Sequence, residues 1–227
     1  MSTIYQRGNL WWYKERLPGQ RERGADGKRV GRRPVPVDSR AGNVGHQASG
    51  VEACLVACHV VDPQTLVPAA IDELERIVGA AYRVGLGLGR FNAGEARGWI
   101  PDHVRTASAL LTAYEITGRL PYSMLAEELV QFVRRTKWGE AAGRFEEPEL
   151  DDRALFVVNC DAARVLSRLA HLHGRDDYRA GAVMAAGAAY DEDAGRILTA
   201  CGDTYQVYGT ATSAAFGLAL MEWLTLR

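Results

Sequence analysis

From residue 46 to the end of the chain, apolar side chains recur three and four positions apart, the period of a helix with one buried stripe. Breakers cut this pattern into seven candidate helices: 46–61, 65–84, 102–118, 121–138, 152–174, 176–200 and 206–226. Asp62-Pro63 stops the first, and the Gly85-Gly87-Gly89 run stops the second. Asp102 follows Pro101 as an N-cap for the third, and Gly118 ends it. The sixth carries a break expected near Asp191. The third, fifth and seventh helices are apolar all round, which predicts that they lie inside. The second and fourth carry polar faces, Asp72, Glu73, Glu75 and Arg76 on one, Glu127, Glu128, Arg134 and Arg135 on the other, which predicts that they lie outside.

Before residue 46 the pattern is different. Residues 1–33 hold short β-favouring runs punctuated by Gly8-Asn9, Pro18-Gly19 and Asp26-Gly27, which predicts a small β-meander. Residues 34–45, with two prolines and several small breakers, read as a linker. The expected organisation is a basic β-arm and linker over 1–45 and a helical domain over 46–227. The helical part also repeats itself. AYEITGRLPYSMLAEEL and LAHLHGRDDYRAGAVMA share one corner pattern, and Gly118 and Gly174 stand 56 residues apart.

Alternating inner and outer helices joined by such corners resemble the (α/α) toroids of the six-hairpin glycosidase-like superfamily. The nearest likeness is to the helical C-terminal region of bacterial thioredoxin-domain proteins related to spermatogenesis-associated protein. It rests on residues 103–133, 156–182 and 208–220, covers roughly 95–227, and extends loosely over 46–94. The expected fold is therefore mostly α: a partial (α/α) toroid of about seven helices with a short N-terminal β-meander arm. A complete ring of that kind has nearly twice as many helices, and those relatives carry a thioredoxin domain ahead of the helical part. An incomplete ring leaves apolar edges, so self-association into a homo-oligomer is expected.

The resemblance implies a funnel at the starts of the inner helices. The residues expected there are Trp99, Asp102, His103, Arg153, Asn159, Asp161, Tyr205 and Tyr208. An aromatic platform with carboxylates suits carbohydrate. For hydrolysis one carboxyl must be protonated and its partner ionised, which makes Asp102 and Asp161 the pair and His103 the acid–base histidine. Trp99, Arg153, Asn159, Tyr205 and Tyr208 are the candidate ligand-binding residues. Each has a plainer reading: Asp102 as a helix cap, and Asp161 as an ion-pair partner of Arg164 or Arg105. The expectation is carbohydrate binding without turnover; any retained chemistry would be glycoside hydrolysis or sugar epimerisation.

Composition changes this picture at one end only. The chain has 227 residues, 47% of them hydrophobic and 24% charged, with a net charge of −1. Residues 1–33 carry +6 and the remainder −7. In that basic segment Trp11 and Trp12 stand among Lys14, Arg16, Arg21 and Arg23, an aromatic and cationic surface suited to single-stranded nucleic acid. The opening IYQRGNLWWYKERLPG resembles the start of the arm-type DNA-binding module of tyrosine recombinases, so a DNA-binding accessory role is the alternative. The plainer reading is an arm packed on the acidic body.

No cofactor or metal is expected. Cys54 and Cys58 share one helix face, but His59 is turned about 100° from Cys58, and the chain offers no second pair of ligands at zinc spacing. His171 and His173 suit the negative end of the fifth helix. GLGLGR (85–90) lacks the phosphate-loop pattern and reads as a corner. Four cysteines within helices suit reduced thiols and a cytoplasmic location. No signal peptide or membrane span is expected.

Overall fold

The computed structural model describes the backbone of residues 3–7 and 10–14, and residues 43–60, 63–89 and 98–226. By its contacts the chain divides into two units, Met1–Val37 and Asp38–Arg227. In the first, β1 (Thr3–Arg7) pairs antiparallel with β2 (Leu10–Lys14), Thr3 opposite Lys14 and Arg7 opposite Leu10. The turns expected at Gly8-Asn9, Pro18-Gly19 and Asp26-Gly27, and most of the linker, lie outside the described residues.

The second unit is mostly α, as the apolar pattern predicts. Its helices are α1 (Val44–Ala57), α2 (Pro63–Ala81), α3 (Ile100–Thr117), α4 (Leu120–Lys137), α5 (Asp152–Gly174), α6 (Asp176–Gly181), α7 (Tyr190–Gly202) and α8 (Thr210–Leu226). The described residues thus hold eight helices rather than seven. The expected sixth helix is two, α6 and α7, and the break spans 182–189 rather than Asp191. Gly187 sits there at φ +69°, and a buried carboxylate on α4 takes the Ala185 N–H. This tertiary bond outweighs the helix propensity of the alanine-rich run.

Two short hairpins join outer to inner helices. β3 (Tyr82–Arg83) pairs with β4 (Gly87–Leu88), and β5 (Trp138–Gly139) pairs with β6 (Arg144–Phe145). The GLGLGR corner is therefore ordered pairing, with Gly85 and Gly87 at positive φ. Gly87 has a second reason to lack a side chain: a Cβ there would stand 2.5 Å from His103 Nε2 and 2.9 Å from the Phe132 ring.

Helix α3 packs between α1 and α5, and α5 packs between α3 and α8. Behind this row α2 backs α1, α4 backs α3, and α7 backs α5 and α8. Helices α3 and α5 are buried as expected, but α8, though apolar all round, buries only Thr212 and Ala219, because among the described residues no inner helix covers its second side. Leu55, Leu110, Leu111 and Leu166 of the inner row are fully buried against Leu74, Ile77 and Leu129 of the outer one. Each contributes about 2 kcal/mol by leaving water. An exposed pair such as Arg76–Glu73 adds about 0.5 kcal/mol. Apolar burial therefore sets the layers.

The 56-residue repeat seen in the sequence reappears in the polar contacts. Ser108 bonds Glu52 across 56 residues, Arg164 bonds Glu222 across 58, Gln131 bonds Tyr190 across 59, and Arg196 bonds Glu140 across 56. Each joins one helical hairpin to the next, as a stacked repeat requires.

Candidate functional site at the starts of the inner helices

A cavity of about 430 Å³ opens where α1, α3 and α5 begin. Asn43 and His46 enter it from α1, Trp99, Pro101 and Arg105 from α3, and Asp151, Arg153 and Val157 from α5. The shared mouth means that the three helices run in the same direction. Of the residues expected at a funnel, Trp99 and Arg153 meet here. Arg105 and His46 join them. The sequence offered Arg105 only as a partner for Asp161. What marks it is its place on α3, four residues after Pro101 and on the same side of the helix.

Asp102, His103 and Asn159 are buried beneath this mouth rather than lining it. Asp102 lies in the first turn of α3 but caps a different helix. Its Oδ1 accepts the Gly45 N–H of α1 at 2.9 Å, a bond that the Asn43 side chain shares at 3.0 Å. The approach is close enough that a Cβ on Gly45 would stand 2.7 Å from Oδ1.

His103 and Asn159 hold equivalent places 56 residues apart and do the same work. The Leu88 N–H of β4 donates to His103 Nε2 at 3.0 Å, and His103 Nδ1 bonds the Trp99 carbonyl at 2.9 Å. One repeat later the Phe145 N–H of β6 donates to Asn159 Oδ1 at 2.9 Å, and Asn159 Nδ2 bonds the Leu155 carbonyl at 2.9 Å. Each side chain fastens a hairpin strand to its inner helix. A backbone N–H can only donate, so Nε2 must accept and the ring proton resides on Nδ1. Burial opposes charging this ring and pulls it down to about 4, with the Trp99 carbonyl pushing weakly the other way. His103 is a neutral structural latch near pH 7.

Asp161 stands half-buried on α5, where burial pushes its carboxyl above the usual range and Arg164 and Arg105 pull it back. Arg164 and Arg105 are the cations near it, and the pair that Arg164 forms is with Glu222. Tyr208 packs on Phe156 at 5.6 Å between ring centroids, and Tyr205 stacks on Phe216 at 5.2 Å. Both tyrosines fix the start of α8 and stay outside the cavity lining.

Towards the other ends of α1, α3, α5 and α8 runs a groove of about 770 Å³. On its floor Arg168 donates to the Ser108 carbonyl, to Thr112 and to Glu115, and Arg164 pairs with Glu222 at 2.6 Å. These bonds tie the inner helices to one another, and so the groove's charges are largely committed.

Glu127, expected on an outer polar face, is buried instead. Its Oε1 accepts from the Ala185 N–H at 2.9 Å and the Tyr190 hydroxyl at 2.8 Å, with His173 Nε2 3.0 Å away. Burial pushes this carboxyl up, yet the three contacts outweigh burial and hold it below its ordinary value. Helical periodicity could not distinguish it from exposed Glu128 beside it.

Cys54, Cys58, Cys160 and Cys201 are all free, and no group of three potential metal ligands gathers among the described residues. His171 is exposed near the Leu226 carbonyl. Trp11 and Trp12 pair with Gln6 and Tyr5 in the β1–β2 hairpin, with Lys14 at its end; Arg16, Arg21 and Arg23 lie outside the described residues. No helix among the described residues is long and apolar enough to cross a membrane. No protein-family model matches the chain, and no curated protein or solved structure matches it either.

Proposed function

We propose that the helical unit is a carbohydrate-binding domain of incomplete-toroid type, with its site at the shared start of α1, α3 and α5. The supporting observation is the cavity that joins Trp99 to Arg153, Arg105 and His46. An indole wall offers an apolar face to a pyranose ring, and guanidiniums and imidazole supply directed donors for hydroxyls. Its volume lies in the range of small-molecule sites. The reading is of binding rather than turnover. Asp151, the carboxylate in the cavity lining, accepts the Ala154 N–H at 2.7 Å as the cap of α5. Asp102 is committed to Gly45.

Calorimetric titration of the full chain with neutral and acidic monosaccharides and their disaccharides tests this. Saturable binding is expected, weakened roughly tenfold or more by Trp99→Ala. Heats indistinguishable from dilution across the panel would end the carbohydrate reading.

A second reading, self-association, is favoured by α8. Its single charged residue, Glu222, is paired with Arg164, while Leu218, Met221 and Leu224 stand exposed. In α3 and α5 both sides are covered by an inner neighbour; α8 has one on a single side.

A further inference from the structure

Two arginines line the cavity from helix starts that also carry the acids expected there, Asp151 and Asp152 on α5 and Asp102 on α3. Arg153 is the second residue of α5, and Arg105 lies near the start of α3. Helix starts carry partial positive charge from N–H groups that have no partner within the helix, so cations are disfavoured there and anions favoured. Three such starts converge on one cavity. Among the described residues no carboxylate pairs with Arg153. Asp161 is a charged neighbour of Arg105; burial pushes its carboxyl above the usual range, and Arg164 and Arg105 pull it back. Of the acids close by, Asp151 caps α5 and Asp102 holds the Gly45 N–H, while Asp152 stands exposed as the first residue of α5. Two guanidiniums, an imidazole and an indole line the cavity of about 430 Å³, beside the capping carboxylate of Asp151.

We infer that the sugar this cavity takes carries an anionic group, carboxylate or phosphoryl, held between Arg105 and Arg153 with Trp99 as the apolar wall. The inference rests on the carbohydrate reading and adds the charge of the ligand. Guanidinium forks match the planar oxygens of a carboxylate and the tetrahedral oxygens of a phosphate, and such charge-assisted bonds are about twice as strong as neutral ones.

The test is titration of the full chain with glucuronate, glucose 6-phosphate, glucose and inorganic phosphate, repeated on Arg153→Gln and Arg105→Gln. Circular dichroism checks that each variant is folded; exposed Arg153 is the safer of the two. One of the acidic sugars is expected to bind roughly tenfold or more tighter than glucose, with that margin lost in both variants and reduced by added salt. Whichever acidic sugar binds identifies the anionic group. Glucose binding as tightly as the acidic sugars, unchanged in Arg153→Gln, would overturn the inference and leave the carbohydrate reading standing. Inorganic phosphate binding as tightly as either acidic sugar would keep the anion site and overturn the carbohydrate reading. No binding by any of the four would overturn both.

Discussion

His103 and Asn159 answer one structural need with different acid–base chemistry. Asn159 cannot titrate, whereas His103 can. Its folded value of about 4 lies below the unfolded value of about 6.5. The unfolded chain therefore takes up this proton first as the pH falls. Stability from the neutral ring is complete above about pH 6.5 and is lost as the pH drops towards 4, by about 3 kcal/mol in all. His103→Asn copies the solution used one repeat later. Its urea midpoint at pH 7.5 is expected to stay near that of the parent, while the fall in stability between pH 7.5 and 4.5 shrinks by about 2 kcal/mol. An undiminished fall would mean that the acid sensitivity lies elsewhere. His103→Leu leaves the Leu88 N–H without its imidazole acceptor, while the Trp99 carbonyl keeps the backbone N–H groups of residues 102 and 103, and is expected to cost about 1–3 kcal/mol at either pH. At this scale the sequence was least legible. Asp102 and His103 look reactive in one dimension because both their partners, Gly45 and Leu88, come from other elements.

Among the elements, long periodic segments were readable and short ones were not. Helices α2 to α5 stand close to where the apolar stripes put them. Two-residue strands have no period to read, so β3–β4 and β5–β6 were invisible except as glycine-rich corners. The split between α6 and α7 was equally hidden, since it depends on Glu127 reaching Ala185 across 58 residues. That bond gives a prediction for the 182–189 segment. Glu127→Gln removes the charge facing His173 and weakens the hold on Ala185, at a cost of about 1–3 kcal/mol. Hydrogen exchange at the Ala185 amide is expected to speed up, while the Leu88 amide keeps its protection. Equal acceleration at both would show global loosening instead. The Glu127 carboxyl is held below its ordinary value, so its contribution is present at neutral pH and disappears as the pH falls through that lowered value. Glu127 and His103 thus destabilise in the same direction on acidification.

For the molecule as a whole, the division into buried inner and polar outer helices was available from hydrophobicity alone, because only two packed layers can hide helices that are apolar on every side. The cavity at the inner-helix starts was half legible. Trp99 and Arg153 were placed together by their position at inner-helix starts, whereas His46 and Arg105 needed the packing of α1 against α3. The uncovered side of α8 belongs to this scale. Light scattering coupled to size exclusion is expected to show an oligomer for the full chain. Met221→Glu combined with Leu224→Glu is expected to return it to a monomer without lowering the melting temperature, since both side chains are exposed. A monomeric parent chain would mean that α8 needs no cover.

The constant spacing of the bonds between hairpins also bears on how such a chain could change its length. With neighbours joined at about 56 residues, Glu52 to Ser108 and Glu140 to Arg196 alike, an insertion or deletion of one whole period would keep the helical hairpins in step, although individual bonds would change: without 119–174, Arg196 would meet Val84 where Glu140 now stands. Removing 119–174 would bring Gly118 directly before Arg175, restoring the Gly-Arg corner that stands at both places. Gains or losses of any other length would put a hairpin latch out of register. Such an architecture can grow or shrink in steps of one helical hairpin.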